Sequence, residues 1–148
     1  MTMHRYRTAL TWSGSTKTYE GYGRGHDVKI GPAPLRLSAD EAFLGDSELA
    51  NPEQMLVAAA SSCQLLSFLA VAARSGVDVL KYLDDAEGQM PVNDSPMRVT
   101  RITLRPHVVV RGGDPERVER LLHKAHQQCY IANSLISEVA LEPTVEVI

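Results

Sequence analysis

Cys63 stands near the middle of the longest uncharged stretch of the chain, Met55–Ala73, and the only other cysteine, Cys129, falls in a second segment of helical character. Two thiols placed this way suggest paired redox chemistry. A thiol is a nucleophile only as thiolate, and apolar surroundings raise its pKa unless a cation or donor offsets the lost hydration. Cys63 lies about three turns into its predicted helix, past the first turn in which the helix dipole acts. Some other positive group has to activate it.

Other residues near the thiols invite chemical readings. His123, His126 and Cys129 form a His-x2-His-x2-Cys series. On an unbroken helix residues three apart share a face, but residues six apart are roughly 120° out of alignment, so the three cannot all aim at one ion and no metal is expected. His126 is instead placed to lie near Cys129 and help its ionisation. Ser61, Ser62 and Gln64 flank Cys63. Serines in a small-residue helix commonly return the hydroxyl to a carbonyl one turn back, so they stay outside the catalytic set. Gly21-Tyr22-Gly23-Arg24-Gly25 lacks the strand-to-helix setting of a phosphate-cradling loop, and no cofactor is expected.

Asn51-Pro52-Glu53, a cysteine ten residues after that glutamate, and the later Ala125-His126-Gln127-Gln128-Cys129 together resemble the OsmC/Ohr family of thiol-dependent hydroperoxide reductases, over residues 5–148. The resemblance implies an α+β OsmC-like fold, an intertwined homodimer, and Cys63 as the residue that attacks the peroxide. It implies Cys129 as the resolving thiol, condensing with a Cys63 sulfenic acid to a disulfide; read from the residues alone, Cys129 is equally a small buried hydrophobe on an apolar stripe. It also implies an arginine from the N-terminal strands, held by Glu53, as the activating cation. Arg24 is the candidate because it opens an extended segment and shares a strand face with His26; Arg36 is the alternative. The family's pattern has a proline after the second cysteine, where this chain has Tyr130, which leaves helix continuation past Cys129 open.

The elements that must position these groups follow from spacing. Tyr6, Thr8, Leu10 and Trp12 alternate with polar or small residues, predicting a half-buried strand. Further extended segments are predicted over Thr18–Tyr22 and Arg24–Ile30, stopped by Gly31-Pro32-Ala33-Pro34, and the three form an antiparallel meander. Ser38 is placed to cap a short helical turn through Phe43. Asn51 as cap, Pro52 in the first turn and Gly76 beyond the last bound the long helix. An extended segment to Gln89 and a turn around Pro91–Pro96 follow. One long strand then places Ile102, Leu104, Val108 and Val110 on one side and Arg101, Thr103, Arg105 and His107 on the other. Asp114-Pro115 opens a second helix with a stripe of Val118, Leu121, Leu122, Ala125 and Cys129, and a strand over Val139–Val147 closes the chain. Hairpin-like connections rather than regular βαβ alternation make the class α+β.

At 148 residues one domain, 1–148, is the expectation. Fifteen basic against 18 acidic side chains give a net charge of −3 with no basic block, so nucleic acid is not an expected partner. The opening residues lack the pattern of a signal peptide, which points to the cytoplasm, where thiols stay free or pair transiently. Met55–Ala73 is long enough to span a bilayer, but alanines, serines and a glutamine dilute it, so no membrane association is expected. A helix apolar on all sides is covered from several directions, which in so small a chain implies a second subunit.

Helix geometry adds to this. Ten residues separate Glu53 from Cys63, about 15 Å of rise and roughly 80° of rotation, so in a pocket using both either Arg24 bridges a considerable gap or, the preferred reading, the glutamate comes from a second chain packed antiparallel to the first; by itself Glu53 is also simply a first-turn acid favourable to the dipole. The expected reaction reduces an organic hydroperoxide, with an external dithiol as reductant and Leu66, Phe68, Met55 and Phe43 as apolar lining. Two other classes share these features: a dimer binding a small apolar ligand with Cys63 as a packing residue, and a thiol redox sensor acting through a partner.

Overall fold

The alternation around Tyr6–Trp12 yields a strand only at its centre. In the computed structural model, which describes residues 2–148 and leaves Met1 outside them, β1 covers Thr8–Thr11, β2 His26–Ile30 and β3 Ala33–Leu37, an antiparallel sheet in that order. The predicted strand over Thr18–Tyr22 is a run of turns instead. The Thr18 hydroxyl and carbonyl both accept from the Gly21 amide (3.1 and 3.3 Å), and such local bonds compete with a sheet ladder. Gly31-Pro32 reverses the chain rather than ending the sheet: Ile30 pairs with Ala33, with Gly31 at φ +68°. Pro34 is accommodated because β3 is the sheet's edge strand. The helical turn through Phe43 forms, but its cap is Asp40, whose carboxylate accepts from the Ala42 amide at 2.8 Å. Ser38 accepts from the Asp46 amide instead.

The long helix α1, Pro52–Arg74, ends where the sequence places its ends. Asn51 and Gln54 bond reciprocally through side chain and backbone (2.9 and 3.0 Å), a capping box. At the other end Gly76 takes φ +73°, with Val77 N–H donating to the Ala72 carbonyl and Gly76 N–H to that of Ala73, the Schellman arrangement.

The chain forms two compact units, one reaching to Met55 and one from Leu56 to Ile148. In the second, β4 (Asp78–Asp84), β7 (Pro106–Arg111) and β9 (Thr144–Val147) make one sheet in the order β4-β7-β9. β5 (Glu87–Gln89), β6 (Arg101–Leu104) and β8 (Glu138–Leu141) make another, in the order β5-β6-β8. The single strands predicted over 101–110 and 139–147 are each broken, at Arg105-Pro106 and at Glu142-Pro143. The breaks fall opposite one another, since Leu104 pairs with Leu141 on one side and His107 with Thr144 on the other. A proline cannot donate to the ladder, so both strands change sheet at the same level. The alternation survives the break, with Ile102, Leu104, Val108 and Val110 all fully buried. These strand pairs are parallel, joined through the crossover helix α2, Pro115–Gln127, and not hairpin-linked as expected.

One face of α1, Phe68, Val71 and Ala72, packs with Val108, Val110, Val118, Leu122 and Ala125 in the main core, and Ala60 joins Ile102 and Leu104 in a second cluster. Phe68 is thus a core residue rather than the pocket wall expected of it. The opposite face is apolar and uncovered within one chain, with Leu66 64% and Leu69 38% exposed. By length and composition alone α1 could cross a membrane.

Candidate functional site

The fold brings the two thiols together. Both are free, Cys63 half-buried on α1 and Cys129 wholly buried, and Cys63 lies near enough to bear on the ionisation of Cys129. Cys129 does not continue the second helix. α2 stops at Gln127, the Gln128 and Cys129 amides fold back onto the Ala125 and His126 carbonyls, and Cys129 turns extended (φ −71°, ψ 112°) to cap the short helix α3, Tyr130–Asn133. The Asn133 side-chain amide takes the Gln127 carbonyl at 3.2 Å, so a side chain replaces the next helical turn. The Cys129 sulfur accepts from the Ala132 amide at 3.5 Å. Burial pushes the Cys129 thiol above its ordinary pKa; the Ala132 amide pulls it back, while Cys63 raises it further.

Three polar residues of α1 hold this pairing in place. Gln64, next to Cys63 and wholly buried, donates to the Leu122 carbonyl at 3.1 Å, and the Ser67 hydroxyl donates to the Ala125 carbonyl at 2.9 Å. The last turns of α2 are thereby tied to the helix that carries Cys63. Ser61 donates to the Asp84 carboxylate at 2.5 Å, and the other Asp84 oxygen accepts from the Arg105 amide at 2.7 Å, fixing α1 to the end of β4. Sequence reasoning had Ser61 returning its hydroxyl to its own helix; tertiary partners claim it.

Tyr82 and Asp84 were not singled out in the sequence. Their two-residue spacing on an extended segment, which puts both on one face, is the only signal that could have paired them. The Tyr82 ring lies 6.0 Å from that of Phe68, and its hydroxyl is buried without a hydrogen-bond partner. Burial, then the charges of Asp84 and Cys129, push its pKa well above the usual phenol value. The Gln64 side-chain oxygen and His126 Nδ1 are likewise buried and partnerless. The groups bearing on Cys129 ionisation are Cys63 and the Ala132 and Ile131 amides, and His126 is not among them. His123 is exposed, and among the described residues no cluster of three or more His, Cys, Asp or Glu side chains is arranged to hold a metal ion.

The remaining sequence candidates belong to the N-terminal unit. Arg24 is folded onto its own loop: its guanidinium donates to the Tyr22 and Tyr19 carbonyls (2.5 and 2.6 Å) and stacks over the Tyr22 and Tyr19 rings at 3.8 and 4.9 Å. Its acceptors are therefore neutral. Arg36 is ion-paired with Asp27 at 3.1 Å, both side chains being more than half exposed. Glu53 is half-buried in the first turn of α1.

A family model of OsmC-like proteins matches residues 45–144. An OsmC-like protein of unknown function from Vibrio cholerae is 31% identical and superposes with a TM-score of 0.86 over 96% of this chain and all of its own. The peroxiredoxin OsmC of Escherichia coli is 23% identical over 96% of each chain. The structure of an organic hydroperoxide resistance protein OsmC from Legionella pneumophila, 21% identical, shares the fold at a TM-score of 0.69 over 98% of this chain and 100% of that one.

Proposed function

This chain belongs to the OsmC-like protein family, and from that membership and its paired thiols we propose that it is a thiol-dependent peroxidase reducing organic hydroperoxides. The membership supports a peroxide-related redox role. The observation that carries the finer reading is one half-buried and one fully buried free thiol, the first near enough to bear on the ionisation of the second. The Cys63 thiolate attacks the distal peroxide oxygen, the O–O bond breaks, and the departing alkoxide takes a proton, giving alcohol and Cys63 sulfenic acid. Cys129 then displaces water from that sulfur to form a disulfide. An external dithiol attacks the disulfide, and a second exchange returns both cysteines to thiols.

In this reading Arg24, or Arg36 in its place, is the cation that stabilises the Cys63 thiolate, and Glu53 orients it. The protein acts as a homodimer whose second chain covers the exposed apolar face of α1 and supplies Glu53. Leu66, one turn from Cys63 on the same helix face, favours alkyl over hydrogen peroxides. Cys63 as a mere packing residue is disfavoured by its partial exposure and by the second thiol beside it.

The test is consumption of an organic hydroperoxide by the purified protein with a dithiol present. Cys63→Ser should bring turnover to background, because a serine hydroxyl is neither ionised nor comparably nucleophilic near neutral pH. Unchanged turnover in that variant removes the proposal.

A further inference from the structure

We propose that Asn133 is a positioning residue for disulfide formation: it stops α2 ahead of Cys129 and so returns that thiol to the level of Cys63. The inference rests on the two-thiol reading above and concerns the step in which the sulfurs join.

The two side-chain ties between the helices run in the same order along both, Gln64 to Leu122 and Ser67 to Ala125. Along this stretch α1 and α2 therefore advance together. One more turn of α2 would carry residue 129 to the level of Val71, about 12 Å of helix rise beyond Cys63. The chain does the opposite. Ile131 and Leu135 pack against the cluster that holds Ala60, which precedes Cys63 on α1. The direction of travel along α1 thus reverses between Ala125 and Ile131, and Cys129 lies inside the reversal.

No residue from Gln128 to Ala132 is a glycine or proline, so none of them ends a helix by itself. Continuing α2 through Ile131 would use the carbonyls of Ala125, His126 and Gln127 as acceptors for the amides of residues 129, 130 and 131. Each is engaged otherwise. Ala125 accepts from the Ser67 hydroxyl at 2.9 Å and the Gln128 amide at 3.0 Å, His126 from the Cys129 amide at 3.2 Å, and Gln127 from the Asn133 side-chain amide at 3.2 Å. The Gln127 carbonyl is the one held by a side chain from beyond the break. Asn133 also donates its backbone amide to the Cys129 carbonyl at 3.0 Å, so its two bonds straddle the cysteine.

In the joining step the Cys129 sulfur attacks the sulfur of the Cys63 sulfenic acid. The S–S bond forms, the S–O bond breaks, and the leaving hydroxide takes the Cys129 proton as water. A thiol carried two turns further along α1 is out of reach of that sulfur.

Asn133→Asp keeps the size of the side chain and removes its donor; Asn133→Ala removes the side chain and favours helix. In both, closure of the disulfide by diamide should slow, and its equilibrium against a glutathione buffer should shift toward the dithiol, by about three- to tenfold, the equivalent of one hydrogen bond. After a hydroperoxide pulse Cys63 should reach sulfenic acid at the wild-type rate, then accumulate as sulfinic acid. The diamide arm uses no peroxide, so it reads out even if the wild type reduces none.

Tyr130→Pro added to Asn133→Ala is the rescue. A proline has no amide to extend α2, residue 130 opens α3, and Cys129 before it is already extended (φ −71°, ψ 112°). The double variant should recover most of the closure rate. Wild-type closure and equilibrium in both single variants overturn the proposal, as does a double variant no faster than Asn133→Ala. Should the single variants not fold, a double variant that folds and closes like the wild type supports the proposal, and one that folds without closing overturns it.

Discussion

Gln64, the residue after Cys63, donates its side-chain amide to the Leu122 carbonyl at 3.1 Å while wholly buried. With the bond from the Ser67 hydroxyl to the Ala125 carbonyl, it joins the helix bearing the first thiol to the helix that delivers the second. Its own oxygen has no partner, so its contribution to stability is offset, whereas its contribution to alignment is not.

Gln64→Leu should therefore separate the two effects. The substitution conserves volume and removes both the bond and the orphaned oxygen, so denaturant unfolding should change by no more than about 1 kcal/mol. Disulfide formation after a peroxide pulse, measured by quenched-flow alkylation, should slow several-fold as one of the two side-chain ties between the helices is lost. Parental disulfide kinetics would show that Ser67 and core packing alone hold the alignment.

Cys129→Ser should leave the first reaction with hydroperoxide intact and accumulate sulfenic and then sulfinic Cys63, because nothing remains inside the protein to condense with it. Mass spectrometry after a peroxide pulse reads this directly. If the wild type also fails to form a Cys63–Cys129 disulfide, the two-thiol cycle is wrong although a one-thiol cycle survives.

The reduced protein should lose stability as pH rises through the ordinary thiol range, about 8.5 and above. The sign follows from linkage: the folded Cys129 pKa is raised by burial, so between the unfolded and folded values the unfolded chain has released a proton that the native state keeps, and the slope is negative. Thermal melts from pH 7 to 10 should show the decline, flatter in Cys129→Ser. An identical slope in that variant would place the titrating group elsewhere.

Hybrid dimers should test the assembly of the site. Inactive Glu53→Ala and Cys63→Ser chains, mixed after dissociation and reassociated, should regain part of the activity, because one pocket of each hybrid would take an intact Glu53 and an intact Cys63 from different chains. If the hybrids form and remain inactive while the wild type recovers from the same treatment, the cross-subunit site is refuted.

Much of this was legible in the chain, because it depends on local chemistry. The ends of α1 follow from Asn51, Pro52 and Gly76, and the start of α2 from Asp114-Pro115, since a cap, a missing donor and a left-handed residue act over one turn. The buried alternation of Ile102, Leu104, Val108 and Val110 was readable for the same reason: the period of a strand is two wherever its hydrogen bonds go. The pairing of Cys63 with Cys129 was suggested by a pattern of residues and not by any local rule.

What the sequence could not determine was which groups meet. The twin breaks at Pro106 and Pro143 were visible as prolines, but that they lie opposite one another, and so move both strands between sheets, depends on a parallel register closed only through α2. Ser61 left its own helix for Asp84 because a tertiary carboxylate offered its hydroxyl a better acceptor than the local backbone did. Tyr82 is a further case: nothing in residues 78–84 distinguishes it from an ordinary strand tyrosine until tertiary packing beside Phe68 buries its hydroxyl without a partner. Helix ends and strand faces are settled by neighbours in sequence, whereas burial and proximity, which set the chemistry of a thiol, are settled by neighbours in space.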